Sequence, residues 1–135
     1  MSEENVELAR RAYAALTRGD TDTLYDLAAP EYVVDFSRRL VDPFVLRGRD
    51  EALAAFLTQS REPWDGWPVW EPQELLDADD KVVALIRFSA RGKGSGAEVE
   101  AHVWNLWTFR DGKLVEFKYF GDDRAAALEA AGLSE

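Results

Sequence analysis

The chain has no cysteine, so it can form no disulfide, offers no thiolate nucleophile and cannot bind zinc through sulfur. It has one histidine, His102, which leaves no multi-histidine metal site within a single chain. Cations are scarce relative to acids: 16 Lys and Arg stand against 26 Asp and Glu, for a formal charge of −10. The acids are spread along the chain, and no basic cluster offsets them. A phosphate-backbone partner needs such a cluster, so no nucleic acid is expected. Long apolar runs are missing as well. None approaches the roughly 20 residues that cross a bilayer, so no membrane partner is expected. The opening MSEENVELARR is acidic and helix-forming, unlike a signal peptide, and a cytoplasmic location is the expectation. A chain of 135 residues is large enough for a real core without crosslinks, and residues 1–135 are expected to form one domain.

Aromatic surface, by contrast, is plentiful: five Trp, seven Phe and four Tyr. Much of it falls in residues 98–121, EVEAHVWNLWTFRDGKLVEFKYFG. Two β-rich runs there flank Asp111-Gly112, a strong two-residue hairpin signal because both central positions of a type I′ turn need φ > 0. Counted from that turn, Thr108 faces Val115, Leu106 faces Phe117 and Trp104 faces Tyr119. One face then carries His102, Trp104, Leu106, Thr108, Val115, Phe117 and Tyr119. The other carries Val103, Asn105, Trp107, Phe109, Leu114, Glu116, Lys118 and Phe120. Both are substantially apolar. The first is expected to line a cavity and the second to meet a partner subunit, since antiparallel sheets usually keep one face polar for water. A β-bulge in residues 98–110, or a longer turn, would instead put Asn105 and Trp107 inside.

The rest of the chain divides simply. Residues 3–18 predict a helix with Ser2 as cap and Gly19 past its end, and Val6, Ala9, Tyr13 and Leu16 as its apolar stripe. A short helix is expected over 21–28, ended by Pro30. A strand is expected over 32–36, a loop over 37–48, and a helix over 50–60 with Leu53, Phe56 and Leu57 inward. Residues 62–67 read as a turn. A strand over 70–76 should lie at a sheet edge because of Pro72, and a strand over 81–91 follows. Gly92 to Gly96 joins strand to strand and opens no helix, so it is no phosphate loop, and no cofactor is expected. A last helix covers 123–131. Helices first and a strand meander afterwards imply α+β.

In this order the segments YAALTRGDTDTL, LRGRDEALAAFL and WTFRDGKLVEFKYFGDDRAAALEAAGL resemble the nuclear transport factor 2-like superfamily, in particular its SnoaL-like branch. The resemblance covers most of the chain. It implies a cone-shaped, strongly curved antiparallel sheet with N-terminal helices packed on its concave face. It also implies a helix-lidded apolar cavity, often in a homodimer. The superfamily includes ketosteroid isomerases, polyketide cyclases and limonene epoxide hydrolases, so the fold does not name a reaction.

The resemblance directs attention to Asp35, which lies where ketosteroid isomerases keep a general base. In the apolar run Tyr32-Val33-Val34-Asp35-Phe36 a buried carboxyl should have a raised pKa and could shuttle a proton beside a carbonyl. Asp122 is a second acid that a cyclase could use. The bland reading of Asp35 is an ion pair with Arg38, Arg39 or Arg87, or a solvent-facing carboxylate. His102 could act as acid or base near neutral pH, against a plain edge histidine bonded to Glu100. Tyr32 is taken as their assistant. The isomerases' helix-one Tyr falls by spacing at Ala12, and a shift of one residue turns a helical side chain by about 100°, so Tyr13 is not expected to replace it. Their second acid falls near Trp104 or Asn105. The epoxide hydrolases' last Asp falls near Tyr119. Arg87 interrupts an apolar strand and needs a partner such as Asp35, Glu100 or an anionic ligand. The expected lining is Tyr13, Leu16, Tyr32, Asp35, Phe56, His102, Trp104, Phe117 and Tyr119, with Trp64 or Trp67 nearby and Arg87 as a further ligand contact. These point to a small hydrophobic ligand, carbonyl-bearing if acid–base chemistry is done. The rival is a non-enzymatic binding or dimerisation module whose cavity is filled by its own aromatic side chains.

Overall fold

Helix α1 (Ser2–Arg18) begins with Glu3 and Glu4 against the positive end of its dipole and closes with Arg18. Gly19 follows at φ 69°, the left-handed turn that stops a helix at low steric cost. The next residue, Asp20, caps α2 (Thr21–Leu27) by accepting from the Thr23 N–H at 3.1 Å. The structure, a computed structural model, describes residues 2–40, 42–62, 64–66 and 68–133, without the side chains of Ser2, Phe56, Leu57, Gln59, Ser60 and Arg61.

From α2 the chain passes directly into β1 (Ala28–Asp35), which starts earlier than expected because Leu27, Ala28 and Ala29 all enter the core. The expected loop contains a short strand, β2 (Val45–Arg47), paired antiparallel to β1. Then come α3 (Arg49–Arg61), β3 (Val69–Ala78), β4 (Lys81–Arg91), β5 (Glu98–Arg110), β6 (Lys113–Gly121) and α4 (Arg124–Ala130). The six strands form one curved, unclosed sheet in the order β2-β1-β6-β5-β4-β3. Every neighbouring pair is antiparallel except β1 and β6, which run parallel, so the sheet is mixed. Pro72 lies in the edge strand β3, at the point where its register with β4 shifts.

The sheet has an apolar side chain set on each face. On the concave side, Ala9, Ala12, Tyr13, Ala15 and Leu16 of α1 pack with Tyr32, Val34, Ile86, Trp107, Phe109, Leu114 and Phe117. The fully buried alanines let α1 approach the sheet closely. On the opposite side, α4 lays Ala127 and Leu128 over Val83, Trp104, Leu106 and Phe120. Asp123 caps that helix through the Ala126 N–H and pairs with Arg38 at 2.9 Å. No helix among the described residues is long and apolar enough to cross a membrane.

The hairpin turn forms as expected, with Asp111 at φ 53°, Gly112 at φ 76° and Arg110 opposite Lys113. The faces beyond it do not. Phe109 pairs with Leu114, but Thr108 pairs with Glu116, which leaves Val115 as an extra residue in β6. A second irregularity follows, since Asn105 pairs with Tyr119 and Trp104 with Gly121. Each bulge inserts one residue and exchanges the faces on that strand. Phe117 and Tyr119 therefore share the concave side with Val103, Asn105 and Trp107. His102, Trp104 and Leu106 take the other side. Two apolar faces give alternation nothing with which to oppose the slip.

Candidate functional site

Between α1 and the concave side of the sheet lies a cavity of about 350 Å³. Two aromatic walls bound it. On the β1 side, Phe44, Phe36 and Tyr119 form a stack, with ring centroids 4.9 and 5.2 Å apart and successive planes inclined by 22°. On the β4 side, Trp64, Phe88 and Trp70 meet edge to face with centroids 5.6 Å apart. Trp64 is held there by a bridge to Gly92 at the end of β4. Trp70 is held by α1: the Thr17 hydroxyl accepts from its N–H at 3.0 Å and donates to its carbonyl at 3.2 Å. Such offset and edge-on arrangements are favoured by ring quadrupoles, so the walls are set before any ligand arrives.

The polar groups in the lining are few. The Tyr13 hydroxyl accepts from Asn105 Nδ2 at 2.9 Å and from Trp107 Nε1 at 2.7 Å. With both lone pairs engaged, its own proton has no acceptor among the described residues. Burial pushes the phenol well above its ordinary pKa, and the Asn105 and Trp107 donors pull it back only in part. It stays protonated at any physiological pH. Asn105 is 3 % exposed, and its Oδ1 is buried with no hydrogen-bond partner among the described residues. A buried amide oxygen left unpaired is unusual enough to need an occupant. Arg39, exposed at the cavity's rim, lies over the Phe44 ring at 5.8 Å, with no carboxylate in ion-pair reach among the described residues.

Of the residues singled out in the sequence, the structure brings Tyr13, Leu16, Trp64, Phe117 and Tyr119 to this cavity. Phe56 and Trp67 fall outside the described side chains. Tyr32 is buried in the core below the lining, and desolvation raises its phenol pKa strongly, with Tyr13 adding to the effect. Asp35 does not reach the cavity. It alternates to the other face of β1, where its Oδ1 accepts from the Ser37 N–H at 2.8 Å and its Oδ2 lies 3.7 Å from Lys118 Nζ. Partial burial favours its neutral form, but the Ser37 and Lys118 interactions together outweigh that and lower its pKa. A carboxylate so held is a poor general base. His102 is exposed on the outer face, beside Arg87, its cross-strand neighbour. Arg87 pairs with Glu100 at 2.5 Å and approaches Glu71 at 3.6 Å, in the open. Trp104 packs under α4 with Arg124 5.5 Å above its ring. Asp122 is exposed beyond the end of β6. The bulges account for His102 and Trp104, and ordinary strand alternation accounts for Asp35 and Arg87.

Sequence reasoning put Asn105 inside only in the event of a bulge, and missed Phe36, Phe44, Phe88 and Arg39 as cavity residues. It also set Tyr13 aside as a polar group, yet α1 presents a broad buried face on which both Ala12 and Tyr13 point inward. The one usable signal for Asn105 was its placement in an otherwise apolar strand. Among the described lining residues there is no Asp, Glu or His.

The SnoaL-like domain family matches residues 9–117, and the chain belongs to that family. No curated protein matches it by sequence. Among solved structures it is similar to Bal32a, from a soil-derived mobile gene cassette, with 24% identity, TM-score 0.79 and coverage of 90% of this chain and 92% of that one. A nuclear transport factor 2-like protein of unknown function from Burkholderia pseudomallei aligns with 20% identity and TM-score 0.74 over 96% of each chain. TerC, crystallised with polyporic acid, aligns with 19% identity and TM-score 0.74 over 96% of this chain and 98% of its own. These similarities establish the fold, a curved sheet with N-terminal helices on its concave face.

Proposed function

We propose that the protein binds a compact, flat, apolar compound and polarises a carbonyl on it through the Tyr13 hydroxyl. The observation that carries this reading is the pair at the buried end of the cavity. Tyr13 has a proton to give and Asn105 an acceptor to offer, both in a low-dielectric pocket where a hydrogen bond is strong. Two N–H donors on the phenol oxygen make its O–H more acidic as a donor without ionising it. A ligand carbonyl accepting that proton would have its carbon made more electrophilic and any enol or enolate form stabilised. The cavity volume lies near the lower end of the range of about 300–1,000 Å³ typical of small-molecule sites, which fits a compact ligand. That TerC was crystallised with polyporic acid is in keeping with a small-molecule-binding reading.

Acid–base turnover by Asp35 or His102 is not part of this reading, because both stand on the far side of the sheet. Chemistry in the cavity would need only electrophilic activation, or a base carried by the ligand itself. The rival, a cavity filled by its own side chains, is disfavoured by the space between the walls and the orphan amide oxygen. The test compares 2-acetonaphthone with 2-ethylnaphthalene, which lacks the carbonyl, by calorimetry and tryptophan fluorescence. The ketone should bind more tightly, and its carbonyl stretch should move to lower frequency on binding. Both effects should vanish in Tyr13→Phe. Equal binding of the two compounds to the unaltered protein would overturn the proposal.

A further inference from the structure

The two ends of the cavity differ in kind. At the buried end stand neutral groups, Tyr13 and Asn105. At the rim stands a cation, Arg39. Many arginines among the described residues pair with carboxylates: Arg10 with Glu7, Arg18 with Asp20, Arg38 with Asp123, Arg87 with Glu100, Arg91 with Glu98 and Arg110 with Glu31. Arg38 and Arg39 are neighbours in sequence with opposite fates. Arg38 turns to the outer face, reaching Asp123 and lying 5.0 Å over the Phe120 ring. Arg39 turns to the cavity, and its backbone N–H is fixed by the Phe36 carbonyl at 3.1 Å. In a chain with ten more negative than positive charges, carboxylates to pair with it are abundant. Its guanidinium instead lies over Phe44, the outermost ring of the stacked wall. A guanidinium lying over a ring can still offer N–H groups to a carboxylate.

We infer that the ligand is an aromatic carboxylate. Its ring system lies between the Phe36–Phe44–Tyr119 stack and the Trp64–Phe88–Trp70 wall, its carboxylate pairs with Arg39 at the rim, and a carbonyl at its far end accepts from the Tyr13 hydroxyl. This rests on the carbonyl-binding reading above and adds the charge, the orientation and the residue that sets both. The net negative charge of the protein opposes an anion at long range, but at about 0.15 M salt that repulsion is largely screened beyond roughly 8 Å, while the contact with Arg39 is not. The selection is therefore local: neutral compounds of the same shape enter, and the anion is retained longer.

Two probes of one shape test this, 6-acetyl-2-naphthoate and its neutral analogue 6-acetyl-2-naphthamide, titrated at about 0.15 M salt. The expected result is a preference for the acid of roughly fivefold, the scale of a partly exposed ion pair. Arg39→Gln should abolish the preference by weakening the acid alone, with the amide unchanged. Arg39→Lys should restore part of it, since it keeps the charge but loses the planar fork. Tyr13→Phe should weaken both probes alike and leave the preference intact. Equal affinity for acid and amide, or a preference that survives in Arg39→Gln, overturns the inference. If the amide still binds in a Tyr13-dependent way in that case, the carbonyl-binding reading stands without it. If neither probe binds, both fall together. Arg39 is exposed, so its variants are not expected to disturb folding.

Discussion

Tyr13 ties α1 to β5 through one oxygen. Its hydroxyl is the acceptor for two buried donors on β5, so its removal exposes Asn105 and Trp107 to unpaired burial. Tyr13→Phe should therefore lower unfolding stability by about 1–3 kcal/mol, read from denaturant midpoints at constant m-value. A change well under that range would show that the donors find other partners. Asp35 makes a different prediction. Its pKa is lowered in the folded state, so its charge contributes stability above the unfolded carboxyl pKa, near 3.9, and that contribution is lost as pH falls through the lower folded value. Asp35→Asn should cost on the order of 0.5 kcal/mol at neutral pH. The gap to the parent should close in acid, below about pH 4. A gap that instead widens in acid would mean the carboxyl is held neutral, as the sequence reading supposed. Nothing in the sequence distinguishes Arg38 from Arg39, and only the course of the loop sends one to α4 and the other to the cavity.

At the level of elements, local signals were sufficient wherever one residue type enforces one conformation. The Asp111-Gly112 turn, the Gly19-Asp20 junction and the span of β4 follow from the sequence for that reason. Gly112 sits at φ 76° with open space where a side chain would go, so strain there is purely backbone. Gly112→Val should destabilise by on the order of 1 kcal/mol or more, while Gly112→Asn, which tolerates a left-handed backbone, should cost less. Equal stability of both variants would refute the turn geometry. Which way the hairpin faces was not legible. His102-Trp104-Leu106 and Val103-Asn105-Trp107 are similarly apolar, and the deciding event is the extra residue at Val115. Once Glu116 and Lys118 face outward, Leu114 and Phe117 can both face the core only because a residue is inserted between them. That three-residue spacing was the available clue. The short β2 is three residues long and too brief for any periodic signal.

For the whole molecule, the fold was legible because its segments resemble a known order of elements, whereas the assembly was not. The expected homodimer rested on Val103, Trp107, Phe109, Leu114 and Phe120 forming an uncovered face. Four of these turn toward the core cluster and the fifth packs against α4. We propose the homodimer still, on a different surface: the outer side of β3 to β5 beyond α4, where Leu76 and Leu85 are half-buried and Arg87, Glu71, Glu100 and His102 make a mixed-charge rim. Light scattering at micromolar concentration should give twice the chain mass, and Leu85→Glu should halve it. A monomer before the substitution would remove the proposal. The bulge at Val115 has a consequence of another kind. Because neither side of the hairpin is marked by polarity, its orientation is stored as a residue count rather than as a composition. A family built this way can exchange the contents of its interior by gaining or losing a single codon in β6. Relatives that differ there by one residue should be compared by facing, never by aligned position.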